Sequence, residues 1–311
     1  MKPEALLTVH DLRITFGAAE AVRGLSFDVR PREVLAIVGE SGAGKSLTAR
    51  ALLGMVPRGA TTSGSVRLRG CADLAAQRGR RIALVPQDAL SALSPVHPVG
   101  AQLAAAVRSV GRVSRREARS RAVAALERVG IPDAVRKARA YPHEYSGGMR
   151  QRAVIAMATI NEPDVLVADE PTTALDEERR DQVLEVLAEQ RTAVGAALVL
   201  VTHDLDVVRQ HADRALVMYA GRLTELGTAE RVLNRPLAPY TAGLLESLPQ
   251  NVPPGRRLPT LPGAPPAPGA LPPGCAFAPR CPLATDLCRH EEPEPRPLDG
   301  RLVACHHREG V

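Results

Sequence analysis

Residues 34–46 read Val34-Leu35-Ala36-Ile37-Val38-Gly39-Glu40-Ser41-Gly42-Ala43-Gly44-Lys45-Ser46. The opening apolar run suits a strand buried on both faces of a parallel sheet. The remainder fits G-x-x-x-x-G-K-[S/T] at every position. Glycines at this spacing let backbone N–H groups turn inward around the phosphates of a nucleotide. Lys45 then reaches the β- and γ-phosphates, and Ser46 offers its hydroxyl to Mg2+. A helix expected over Ser46–Leu53 adds the partial positive charge of its N-terminus. Strand, Gly-rich turn and helix in that order form the entry of an α/β fold.

A phosphate loop needs an acidic partner, and Val165-Leu166-Val167-Ala168-Asp169-Glu170 supplies one: an apolar strand that ends in two carboxylates. Asp169 is expected in the Mg2+ shell, and Glu170 beside the γ-phosphate as the general base that polarises the attacking water. Together these motifs specify a nucleotide hydrolase.

Outward from them, strands are expected at Leu6–Phe16, Ala21–Val29, Ser65–Arg69, Arg81–Val85, Ala197–Val201 and Arg214–Met218. Residues 99–140 lack strand patterning and show helical periodicity, which predicts a helical insertion. Glu177–Arg191 and Pro239–Leu248 also read as helices. Between Val252 and Pro273 proline is too dense for a packed helix or a central strand, so this stretch reads as extended linker.

Composition excludes several classes. At 311 residues and 45% hydrophobic content the chain can bury a proper core. No stretch reaches the about 18 apolar residues of a spanning helix, and the N-terminus lacks a signal-peptide core. A cytosolic protein is expected, with other chains supplying any pore. The net charge of +6 is carried by arginine, lysine occurring only at Lys2, Lys45 and Lys137. A GC-rich coding bias accounts for that pattern as well as a binding face does. The basic run Arg108–Arg121 reads as a solvated helix face, and no nucleic-acid partner is expected.

The segment Tyr145-Ser146-Gly147-Gly148-Met149-Arg150-Gln151-Arg152 resembles the signature motif of ABC ATPases. Other motifs follow in that family's order. Val85-Pro86-Gln87-Asp88 is similar to the Q-loop, Thr173-Ala174-Leu175-Asp176 to the D-loop, and Val201-Thr202-His203-Asp204 to the switch histidine. Phe16 sits where the family stacks an aromatic on adenine. Over roughly residues 4–250 the resemblance implies a P-loop NTPase of the ABC type. Its fold would be a mixed sheet core with an antiparallel β subdomain and a helical insertion at about 99–160, followed by a Pro/Cys-rich extension over 251–311. The implied catalytic residues are Glu170, His203 and Gln87, with ATP as ligand and Mg2+ held by Ser46, Gln87 and Asp169. On its own chemistry Ser146 is a good N-cap, and Gly147 and Gly148 leave the next N–H groups unobstructed. The family uses this second anion site in trans: Ser146, Gly147, Gly148 and Met149 close on the nucleotide of a partner subunit, with Asp176 in the D-loop. Tyr145 and Met149 depart from the commonest leucine and glutamine, as also occurs among peptide importers.

Asp88–Pro95 with Val99–Gln102, and Arg235–Leu245, resemble the peptide and nickel importer branch. Ala238 departs from that branch's usual histidine. The branch implies a second, different ATPase subunit, two transmembrane permeases, an external solute-binding protein and a peripheral place on the cytoplasmic face of the membrane. A soluble ABC ATPase of the repair or translation type is the alternative. Four of the five cysteines, Cys275, Cys281, Cys288 and Cys305, crowd the tail with five, six and sixteen residues between them. Cytosolic placement argues against disulfides, and four thiolates can hold zinc or an iron–sulfur cluster. The spacing lacks the tight pairs of common zinc sites. Gly274–Pro282 resembles tails of the branch that carry a 4Fe–4S cluster, with Zn2+ or metal-free thiols as alternatives. Far from the P-loop in sequence, this tail is expected to serve stability and assembly more than nucleotide affinity.

Overall fold

The computed structural model describes residues 4–172, 176–248 and 260–307. Among them the strands are β1 (Leu7–Phe16), β2 (Ala19–Val29), β3 (Val34–Val38), β4 (Ala60–Leu68), β5 (Ile82–Val85), β6 (Val165–Asp169), β7 (Ala197–Val201), β8 (Arg214–Tyr219), β9 (Arg222–Thr228), β10 (Arg296–Leu298) and β11 (Arg301–Val303). The described chain forms two compact units. One holds residues 73–200 with the short piece 30–32; the other holds 5–29, 33–72 and 201 onward.

In the first unit β5 runs parallel to β6, in register from Ile82↔Val165 to Val85↔Ala168, and β6 lies between β5 and β7. The insertion is helical as expected, with helices at Val99–Val110, Arg115–Arg128, Ala134–Lys137 and Gly147–Thr159. Ala118, Ala122 and Ala125 are buried at i, i+4 and i+7 of the second of these, so a narrow alanine stripe faces inward. The arginines of the 108–121 run are all exposed.

In the second unit β2, β1 and β4 form an antiparallel sheet, in that order. A mixed sheet pairs β3 in parallel with β8, and β8 antiparallel with β9. The tail adds to it. Asp299 and Gly300, both at positive φ, turn β10 into β11, and β11 pairs antiparallel with β9 through Leu302↔Leu226 and Val303↔Glu225. Of four tyrosines and three phenylalanines in the chain, Tyr219, Tyr240 and Phe277 meet in one cluster, with centroids 4.5–5.3 Å apart. Phe277 thereby carries the cysteine segment into the core beside β8.

A buried ion pair locks the hairpin down. Arg301 Nη1 donates to Glu225 Oε1 at 3.1 Å and also to the carbonyls of Arg231 and Arg235. The two side chains are 2% and 0% exposed. Burial pushes the Glu225 carboxyl above its ordinary range, opposed by N–H donors from Leu237 and Ala238 and by Arg301. Removing one member of a buried pair strands the other charge and costs about 3–5 kcal/mol. Arg301→Met should therefore lower the unfolding free energy by that order, as followed by circular dichroism in denaturant. Adding Glu225→Gln should restore part of the loss; no restoration would mean that the packing of Arg301, not its charge, holds the hairpin.

Candidate functional site

In the second unit β3 delivers the phosphate loop. Gly39, Gly42 and Gly44 have φ of 152°, 82° and 94°, values that side-chain-bearing residues rarely adopt. Gly44 caps the helix Lys45–Ala51, and Ala43 accepts a backbone hydrogen bond from Gly221 at 3.1 Å. Lys45 is buried, its Nζ donating to the carbonyls of Gly39 (2.8 Å) and Glu40 (3.0 Å). A left-handed glycine turn opening a helix, with an ammonium directed into it, fits a polyphosphate. Phe16, at the end of β1, is 37% exposed, a ring face open to solvent. Ser41 is exposed, and Ser46 is the second residue of the helix.

Glu40 is held through both its backbone and its side chain. Its N–H donates to the Tyr240 hydroxyl at 2.9 Å. Its carboxylate accepts two bonds from Arg280, at 2.6 and 2.9 Å. No local sequence pattern announces Tyr240 or Arg280 for this role, since they lie 200 and 240 residues from Glu40.

His203, in the same unit, follows β7 and is exposed. Its neighbour Asp204 caps the helix Leu205–His211, accepting from the N–H groups of Asp206 and Val207. In the first unit Asp169 ends β6 and is buried, while Glu170 sits at φ 46°, a left-handed turn that swings its carboxylate off the strand. Gln87 Nε2 donates to Glu170 Oε2 at 3.1 Å, so two residues chosen from separate motifs do meet. Asp176 caps the helix Glu177–Val194 through the N–H of Arg179. The preceding Thr173, Ala174 and Leu175 lie outside the described residues.

Ser146 caps the helix Gly147–Thr159, its Oγ accepting from the Met149 N–H at 3.2 Å. A side chain at Gly147 or Gly148 would meet nothing within 4 Å, so this helix end is unobstructed. Tyr145 fills a core position and donates its hydroxyl to the Lys137 carbonyl at 2.8 Å. Burial pushes that phenol up to about 12. The ring is thus accommodated in the core of this unit.

The tail brings its four cysteines together. Cys275, Cys281, Cys288 and Cys305 line one pocket in the second unit, walled by Tyr219 and Phe277 and joined by His306 and His307. His307 Nε2 stands 3.7 Å from Cys288 Sγ. Burial, then the neighbouring thiols, push Cys305 up to about 11. Among the described residues, however, no three His, Cys, Asp or Glu side chains form a group ready to hold a metal ion. Cys71 is exposed and apart. Two ion pairs close the pocket's rim, Arg23 and Arg222 both holding Glu292.

Comparison with known proteins agrees with the geometry. Residues 22–173 match the family described as ABC transporter, and residues 224–288 match the oligopeptide/dipeptide transporter C-terminal region. The oligopeptide transport ATP-binding protein OppD of Mycobacterium tuberculosis is 50% identical over 93% of this chain; the chain spans only 49% of that relative's length. The dipeptide transport ATP-binding protein DppD of Bacillus subtilis is 43% identical, covering 85% of this chain and 82% of its own. OppD of Escherichia coli is 42% identical, covering 97% and 93%. Among solved structures, cbiO1 from Clostridium perfringens, part of the transporter complex cbiONQ, superposes with a TM-score of 0.64 at 26% identity, covering 74% of this chain and 91% of its own. The cassette MJ0796, a dimer bound to ADP and Pi, gives 0.63 at 25%, covering 72% and 98%.

The glycines of the phosphate loop make separable predictions. A Cβ at Gly39 would lie 2.2 Å from the Met218 carbonyl oxygen, whereas at Gly42 it would meet nothing within 4 Å. Gly39→Ala should therefore distort the loop and abolish nucleotide binding. Gly42→Ala should cost only the left-handed strain of about 1–2 kcal/mol. Thermal unfolding and nucleotide titration of both variants check this; equal damage at the two positions would contradict it.

Proposed function

Because the chain belongs to the ATP-binding subunits of the oligopeptide and dipeptide ABC transporters, we propose that it hydrolyses MgATP to drive uptake of peptides or related small solutes. The observation that carries this reading is a single chain bearing both a glycine phosphate loop around Lys45 and a second, unobstructed anion-binding helix end at Ser146. One nucleotide needs only one such loop, so the second end serves a nucleotide held by another cassette. The match of residues 224–288 favours the importer over a soluble ATPase.

The division of labour follows from residue chemistry. Lys45 and N–H groups of the loop 39–46, other than that of Glu40, which Tyr240 takes, hold the phosphates, and Phe16 offers a stacking face to the base. Ser46, Asp169 and Gln87 supply oxygen ligands suited to Mg2+. That ion neutralises charge on the phosphates when bound. Glu170 takes a proton from the attacking water, and its hydrogen bond with Gln87 ties the base to the Q-loop. His203 donates a hydrogen bond toward the γ-phosphate. Ser146, Gly147, Gly148 and Met149 act on the partner's nucleotide, and Asp176 with its loop follows the partner's state. Functionally we divide the chain at about residue 250, the ATPase domain before it and the extension after.

Among the described residues no helix is long and apolar enough to cross a membrane. The reading therefore assigns permeation to two membrane subunits, substrate delivery to a solute-binding protein, and this chain to the cytoplasmic face beside a second ATPase subunit. For the tail, we favour a 4Fe–4S cluster on Cys275, Cys281, Cys288 and Cys305. The support is that the four thiols line one pocket, and that Gly274–Pro282 resembles tails that carry such a cluster.

Glu170→Gln should leave MgATP binding intact and lower turnover by about 100-fold or more, with the variant accumulating as an ATP-bound dimer. Near-wild-type turnover in the reconstituted transporter would remove Glu170 as the base. Anaerobic purification followed by metal and sulfide analysis should give about four irons and four sulfides per chain. One zinc favours the alternative, and four freely alkylated thiols without metal refute the centre.

A further inference from the structure

Cys281 is peptide-bonded to Arg280, the last residue of the short turn Ala278–Arg280. One side of this turn faces the thiol pocket, since Ala278 and Cys281 both line it. From the other side the guanidinium reaches the phosphate loop and grips Glu40 with both of its terminal nitrogens. It has no slack to do otherwise. Its Nε donates to the Pro262 carbonyl at 2.7 Å, and Nη1 also to the Tyr219 hydroxyl at 3.2 Å. The side chain is 5% exposed and that of Glu40 24%.

Electrostatics gives this contact its importance. A carboxylate in a loop that binds a polyanion repels its ligand unless it is neutralised, and a desolvated bidentate arginine neutralises it better than solvent does. Other parts of the tail reach the same loop. Pro265 and Pro268 line a small pocket with Glu40 and Ala43. Far from the nucleotide loop in sequence, the cysteine tail lies against it in three dimensions.

We propose that Arg280 is a positioning residue that couples the thiol pocket to the phosphate loop: order at the four cysteines keeps Glu40 neutralised and the loop ready for MgATP, and bound MgATP shields the cysteines in return. The proposal rests on the reading of residues 39–46 as the ATP site. Coupling of two sites is reciprocal in binding free energy, so it is visible from either end.

The test uses the full chain as purified; where a metal occupies the cysteines, the alkylation rate of Cys281 reports release of that metal, since a ligating thiolate is blocked until it leaves. MgATP affinity is measured by equilibrium titration. Alkylation of each cysteine is followed by mass spectrometry with and without MgATP, with exposed Cys71 as the internal control. Arg280→Met should raise the Kd for MgATP about tenfold, about 1.4 kcal/mol. Arg280→Lys should raise it less, and Arg280→Met with Glu40→Gln should recover part of the loss. In the wild type MgATP should slow alkylation of Cys281 several-fold but not that of Cys71; in Arg280→Met this protection should vanish. A role confined to stability would move the melting point and leave the protection in place. Wild-type affinity in folded Arg280→Met, or undiminished protection of Cys281, overturns the coupling. If Arg280→Met does not fold, Arg280→Lys decides, and wild-type values for both readouts in that variant also overturn it. A wild type that binds MgATP without protecting Cys281 defeats this inference alone; one that binds no MgATP defeats the ATP reading and the inference together.

Discussion

A phosphate loop cannot be held in shape by its own backbone. The N–H groups that would lock it into a helix or a sheet are the ones it must present to its ligand, so its conformation has to be imposed from outside. Much of the second unit answers this constraint. Met218 in β8 leaves no room for a side chain at Gly39, Gly221 ties down the Ala43 carbonyl, and Tyr240 takes the Glu40 N–H. Lys45 spans the turn between two loop carbonyls. Each brace comes from a strand, helix or tail segment that is itself packed, so the loop gains rigidity at the cost of few of its own donors, the Glu40 N–H among them.

The tail is built on a similar economy. A proline-rich segment buries little apolar surface, and here its attachment relies on Phe277 and on arginine forks. Arg280 grips Glu40, Arg301 grips Glu225, and Arg23 and Arg222 both grip Glu292. The planar fork with several donors can satisfy a carboxylate and neighbouring carbonyls at once, which lysine cannot do. Whatever coding bias enriched the chain in arginine, several of these residues are structural at this place.

The nucleotide machinery was legible because it is local. A phosphate loop, a strand ending in carboxylates and a helix cap are each written in fewer than a dozen consecutive residues, and their backbone forms followed: Gly44 at the cap, Ser146 bonded to Met149, Asp176 bonded to Arg179. The four cysteines stood out by their crowding in the tail and line one pocket, while among the described residues no three donors form a metal group. What escaped was long-range. No periodicity ties Arg280 to Glu40, and the strand Arg222–Thr228 reads as polar because one of its buried positions is Glu225. The hairpin β10–β11 did carry a signal, Asp299-Gly300, that the proline-rich context obscured.

That hairpin also closes the sheet. β9 carries unpaired edge groups wherever no strand covers it, and an open edge recruits other chains. β11 occupies that edge, and β10 then becomes the rim: three residues long, with Pro297 unable to donate a ladder hydrogen bond. A chain ended before β10 would uncover β9 together with the Glu225 carboxylate that Arg301 compensates. Self-association, not loss of catalytic residues, is then the foreseeable fate of such a truncated protein.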